Sequence, residues 1–147
     1  MPTVEKSVLI SYSDQQMFNL VDRCEDYPQF LPWCSKTECP FRDDQKTVGT
    51  LHIGYHGVKA HFTTENEKEF PRLMLIRLVD GPFKKLSGKW HFKALSDAAC
   101  KIEFQLHYEF SSRLLEKVIG PVFSHIANTF VDAFVKRAEQ IYGVSHV

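Results

Sequence analysis

The spacing of apolar residues changes three times along this chain, and each change marks an element. Residues 3–12 read as a first strand. In "SDQQMFNLVDRC", Met17, Phe18, Leu20 and Val21 keep helical spacing, and Ser13 stands where a helix N-cap belongs. "YPQFLPWC" (27–34) follows, with three aromatic rings, two prolines and a leucine in eight positions. Its prolines permit at most a short second helix. Such a segment either closes a core from outside or forms the mouth of a pocket for an apolar ligand.

From Cys34 to Phe110 the period becomes two. Leu51, Ile53 and Tyr55 alternate with His52, Gly54 and His56; Val58, Ala60 and Phe62 alternate with Lys59, His61 and Thr63. Trp90, Phe92 and Ala94 repeat the pattern, and Ile102, Phe104, Leu106, Tyr108 and Phe110 give the clearest run. "HG" at 56–57 and "DGP" at 80–82 punctuate it. The pattern predicts an antiparallel meander with one apolar and one wet face.

"PVFSHIANTFVDAFVKRAEQIYG" then predicts a long helix, with Pro121 in its first turn and Gly143 at its C-terminal cap. His125, Asn128, Thr129, Asp132, Lys136 and Glu139 share a narrow polar arc, while Phe123, Ile126, Ala127, Phe130, Phe134, Ala138 and Ile141 fill the other side. So broad an apolar face needs the sheet as its partner. The expected architecture is α+β, one domain over residues 1–147, with a curved antiparallel sheet wrapped around a long C-terminal helix.

Charge narrows the function classes. Lys plus Arg and Asp plus Glu both number 18, a formal net charge of zero, which argues against DNA as a partner. Aromatics make up 13% of the chain, 12 of them phenylalanine, so the interior is rich in rings. The N-terminus does not read as a secretory signal, and no stretch approaches the roughly 20 uncharged apolar residues that span a bilayer. The four cysteines form no C-x-x-C pair and read as reduced thiols of a cytoplasmic protein.

Candidate chemistry is sparse. His52, His56, His61, His91 and His107 occupy the polar face of their strands, where ligands do not converge, so no metal site is expected. No nucleophile elbow appears, and Glu65, Glu67 and Glu69 alternate onto a solvated face. Arg137 lies inside the apolar arc of the last helix: it either pairs with a carboxylate at the sheet's edge or polarises a ligand head group at one end of a cavity. Lys84, Lys85, Lys89 and Lys93 form a local basic cluster, either a solvated strand face or a contact for lipid head groups or RNA phosphates. Trp90, Phe92, Phe104, Tyr108 and Phe130 either fill an ordinary core or wall a gap between sheet and helix.

Four stretches carry a resemblance: "YPQFLPWC" at 27–34, "DGPFKKLSGKWHF" at 80–92, "FQLHYEF" at 104–110 and "FVKRAEQIYG" at 134–143. They resemble the coenzyme Q-binding START-domain family, whose bacterial members are also called polyketide cyclase/dehydrase-like proteins or ribosome-association toxins. The match covers residues 3–143 and implies the helix-grip fold. It also implies a non-enzymatic carrier of a hydrophobic ligand, a respiratory quinone or related isoprenoid lipid, with no cofactor besides that ligand. Trp33 before Cys34 is similar to the mitochondrial quinone-binding relatives. By resemblance the cavity residues are Phe30, Leu31, Pro32 and Trp33 at the mouth, with Phe83 and Trp90; the helix and strand pattern adds Tyr108, Phe123, Ile126 and Phe130. Transient contact with a membrane surface would accompany such a carrier. The toxin name implies an alternative, binding to the large ribosomal subunit that blocks subunit joining. A third reading, a polyketide cyclase or aromatase, has only the fold behind it.

Overall fold

The structure, a computed structural model, describes residues 3–143. Strand β1 (Thr3–Ile10) leads into α1 (Asp14–Asp22) and a 3-10 turn (Cys24–Gln29). Six strands follow: β2 (Cys34–Arg42), β3 (Lys46–Tyr55), β4 (Val58–Glu69), β5 (Leu73–Asp80), β6 (Phe83–Ser96) and β7 (Ala99–Phe110), before α2 (Arg113–Tyr142). The strands form one antiparallel sheet in the order β1-β7-β6-β5-β4-β3-β2, the meander that the alternation predicts, with β1 added beside β7.

Local chemistry explains the boundaries. Ser13 Oγ accepts from the Gln16 backbone N–H at 3.1 Å while Gln16 Oε1 accepts from the Ser13 N–H at 2.9 Å, a reciprocal cap that starts α1. The β3–β4 hairpin turns on His56 and Gly57, both at positive φ, the two-residue turn whose twist matches the strands. On β7 the residues Cys100, Ile102, Phe104, Leu106, Tyr108 and Phe110 are all buried, so its even-numbered face is the floor of the core. Phe123, Ile126, Phe134 and Ala138 of α2 press onto that face.

Helix α2 begins eight residues earlier than its sequence suggests. Ser112 Oγ accepts from the Leu115 N–H at 3.1 Å and caps it, and Pro121 sits in the helix interior. Burial of Ile119 rewards the extra turns, although proline offers no N–H to the Lys117 carbonyl. Ile141, expected on the apolar side, is exposed. By length and composition α2 could cross a bilayer. The sheet nevertheless takes up its aromatic stripe, the requirement such a helix meets in a packed α+β unit. At its C-terminal end the helix is tied to the rest: the Tyr12 hydroxyl donates to the Gly143 carbonyl, and the Tyr142 hydroxyl to the Gln16 carbonyl.

Candidate ligand-binding site

The segment 27–34 is the strap that joins α1 to β2. Its fold is local: the Leu31 N–H donates to the Tyr27 carbonyl at 2.9 Å and the Cys34 N–H to the Leu31 carbonyl at 3.0 Å. The Tyr27 hydroxyl turns back to the Val21 carbonyl. Tyr27, Leu31 and Trp33 are thereby buried while Pro28, Gln29 and Pro32 remain exposed.

Behind the strap, between α2 and the inner sheet face, lies a cavity with about 80 Å³ open to the centres of water molecules. That is several times the roughly 10–15 Å³ one water needs. Its apolar wall comes from Trp33, Phe62, Trp90, Phe104, Phe123 and Phe130, with Ile126 and Ala127 from α2. The rings brace one another: Trp90 stands 4.6 Å from Phe104 and 5.7 Å from Phe130, and Trp33 stands 6.2 Å from Phe130.

The other end of the cavity is polar, and strand register explains it. Along the paired inner faces of β3 and β4 the neighbours run Ile53↔Ala60, Leu51↔Phe62, Gly49↔Thr64 and Thr47↔Asn66, from apolar to polar. Asp22, at the end of α1, closes this end. Its carboxylate accepts from Thr47 Oγ1 at 2.7 Å and Lys68 Nζ at 3.1 Å, with Arg42 Nε at 3.4 Å. The Lys68 side chain is only 5% exposed, so this ion pair is a buried one. Arg42 also grips Glu25, with Nη2 2.7 Å from Oε1, and that guanidinium holds the Glu25 carboxyl down at about 2.

The expected site residues divide. Trp33, Trp90, Phe123, Ile126 and Phe130 do line the cavity. Phe30, Leu31, Pro32, Phe83, Tyr108 and Arg137 lie outside its wall. Leu31 is buried in the core and Pro32 faces solvent. Phe30 packs edge-on against Phe134 at 5.2 Å. Phe83 stacks on Phe110 at 5.0 Å and meets Phe123 at 4.8 Å, while Tyr108 meets Phe123 at 4.7 Å. Arg137 takes up neither expected role. Its guanidinium covers the Phe30 ring at 5.1 Å and donates to Gln29 Oε1 at 2.8 Å, with no carboxylate partner among the described residues, and its Nε is buried without a partner there.

Reading the sequence missed Asp22, Thr47, Thr64, Asn66 and Lys68. A signal existed, since Thr64, Asn66 and Lys68 continue the even-numbered face that Val58, Ala60 and Phe62 begin.

No reactive thiol stands at the cavity. Burial, then the neighbouring Cys39, pushes the Cys24 thiol well up, and burial raises Cys34 and Cys100 to about 11. Sulfur atoms of Cys24 and Cys39 and a Glu25 oxygen fall within 4.8 Å of one another. That carboxylate is committed to Arg42, whose positive charge opposes a cation there.

A curved sheet gripping a helix over a ring-walled cavity defines the START-like helix-grip class. The chain belongs to the family described as polyketide cyclase/dehydrase and lipid transport, whose model matches residues 10–135. The ribosome association toxin RatA of Vibrio cholerae is 40% identical over 143 residues, covering 97% of this chain and 99% of that one. The mitochondrial coenzyme Q-binding protein COQ10 of Drosophila melanogaster is 26% identical over 142 residues, covering 94% of this chain and 59% of that one. Among solved structures, the Zhui aromatase/cyclase of Streptomyces sp. R1128 superposes with a TM-score of 0.77 at 16% identity, covering 95% of this chain and 94% of that one. At that identity the likeness is one of fold.

Proposed function

We propose that this protein binds a hydrophobic small molecule, a respiratory quinone or related isoprenoid lipid, without transforming it. The observation that carries this reading is the ring-walled cavity between sheet and α2, apolar along most of its length and polar at one end. Burial of apolar ligand surface there contributes roughly 25 cal/mol per Å² before ordering costs. The family's lipid-transport description and the coenzyme Q-binding name of one relative support the same ligand class. The ionisable groups at the cavity's polar end are tied to one another, Asp22 to Lys68 at 3.1 Å and to the Thr47 hydroxyl at 2.7 Å, an arrangement that favours a carrier over a cyclase. Such a carrier works in the cytoplasm and touches a membrane surface only to load and unload. Organic extraction of protein purified from its native host, followed by mass spectrometry, tests this; a quinone or prenyl lipid near one per chain is expected. An extract holding neither would count against it.

A second reading rests on the relative that is 40% identical over nearly its whole length and is named a ribosome association toxin. In it the protein binds the large ribosomal subunit and blocks subunit joining. Lys85, Lys89 and Lys93 are exposed and Lys84 reaches Glu109 at only 3.9 Å, which leaves a basic strip for RNA phosphates. Co-migration with large subunits on a density gradient, and loss of joined ribosomes, is the expected result of this reading; free protein at the top of the gradient would reject it.

A further inference from the structure

The polar end of the cavity is built from cross-strand neighbours with complementary hydrogen-bonding character. Thr64 Oγ1 donates to Asn66 Oδ1 at 3.1 Å, which fixes the Asn66 amide so that its Nδ2 points to the Met74 sulfur, 3.7 Å away. The reverse orientation would set a carbonyl oxygen against that sulfur, which has no proton to give. A thioether is a weak acceptor, so Asn66 keeps donor capacity that an oxygen would use better. Opposite it in register, Thr47 spends its hydroxyl proton on Asp22 at 2.7 Å, leaving the oxygen's lone pairs as acceptors. The buried Lys68–Asp22 pair holds that carboxylate, and hence the Thr47 proton, in place.

We infer that the Thr47–Asn66 pair is a binding site for an oxygen carried on the ring of the ligand, as a carbonyl through Asn66 Nδ2 and as a hydroxyl through Thr47 Oγ1. A ring of this kind is bound in both its quinone and its quinol form. The rings of Trp33, Trp90 and Phe130 take the apolar remainder. This inference rests on the hydrophobic-ligand reading and specifies which end of the cavity reads the head.

Three probes separate the possibilities: decyl-1,4-benzoquinone, the same compound reduced to the quinol, and decylbenzene, which lacks the oxygens. Displacement of a fluorescent apolar dye reads all three alike. One hydrogen bond corresponds to about a tenfold preference, so quinone and quinol should each bind about tenfold tighter than decylbenzene. Asn66→Leu should remove the roughly tenfold preference for the quinone over decylbenzene, read as the ratio of the two affinities in the same variant. Thr47→Val should remove the preference for the quinol. Asn66→Asp, which keeps the size and loses the donor, gives the same reading should the leucine variant not fold. Equal binding of all three probes, or an unaltered quinone preference in the Asn66 variants, would overturn this inference while the cavity reading stands. Failure of every probe to displace the dye would overturn both.

Discussion

The two ends of the space beneath α2 share strands, a sheet face and a helix, yet one is solid and the other is open. At the solid end Phe83 packs against Phe62, Tyr108, Phe110 and Phe123, with centroids 4.8–6.2 Å apart. At the open end the inward positions are Thr47, Gly49, Thr64 and Asn66, and Cys24 and Trp33 approach without filling the space. A Cβ added at Gly49 would sit 3.1 Å from the Cys24 sulfur, so the missing side chain at residue 49 is what lets Cys24 pack against this wall. Side-chain volume along β3 and β4, and not a difference in backbone, decides where a guest fits.

This contrast predicts what each end tolerates. Phe83→Ala should cost about 3–5 kcal/mol of stability, measured by denaturant unfolding, with the apolar-probe affinity of the folded protein held within about twofold, since the Phe83 ring lies outside the cavity wall. A larger loss of affinity would move Phe83 into the site and erase the distinction. Asp22→Ala should also cost about 3–5 kcal/mol, because it strands the Lys68 ammonium inside the protein; a change below about 1 kcal/mol would mean that Lys68 escapes to solvent. Ala127→Leu grows a side chain into the open end. It should cost no more than about 1–3 kcal/mol while abolishing probe binding, and retained binding would place the guest elsewhere.

The smallest effect concerns acid. Glu25 titrates at about 2 when folded, below an ordinary carboxyl, because Arg42 binds it. Its contribution is therefore present above about pH 4.3 and fades as pH falls toward 2. Glu25→Gln should flatten that part of the stability profile by less than about 1 kcal/mol, as suits a pair with solvent access. An unchanged slope there would detach the pair from the polar end.

Much of the apolar interior was legible in the sequence. The alternation on β7 marks its buried floor residue by residue, and the spacing of Phe123, Ile126, Phe130 and Phe134 marks the helix stripe above it. The beginning of α2 was not, because Pro121 mimics a helix start that Ser112 supplies. The polar end was half legible. Inward parity places Thr64, Asn66 and Lys68 together, but the 46-residue separation between Lys68 and Asp22 is closed only by tertiary packing, which no local period encodes. Arg137 shows the same limit, since its partner Gln29 lies 108 residues away.

The parity of β4 also bears on how this sequence can change in length. Deleting Thr63 alone would rotate everything beyond it by one pleat. Thr64, Asn66 and Lys68 would face water, and Glu65, Glu67 and Glu69 would turn toward Trp90 and Phe104, three carboxylates in a ring-lined interior. Removing two residues preserves parity and shortens the strand by one rung. Among descendants of this chain, insertions and deletions inside β4 should therefore come in pairs, or be absorbed by a bulge.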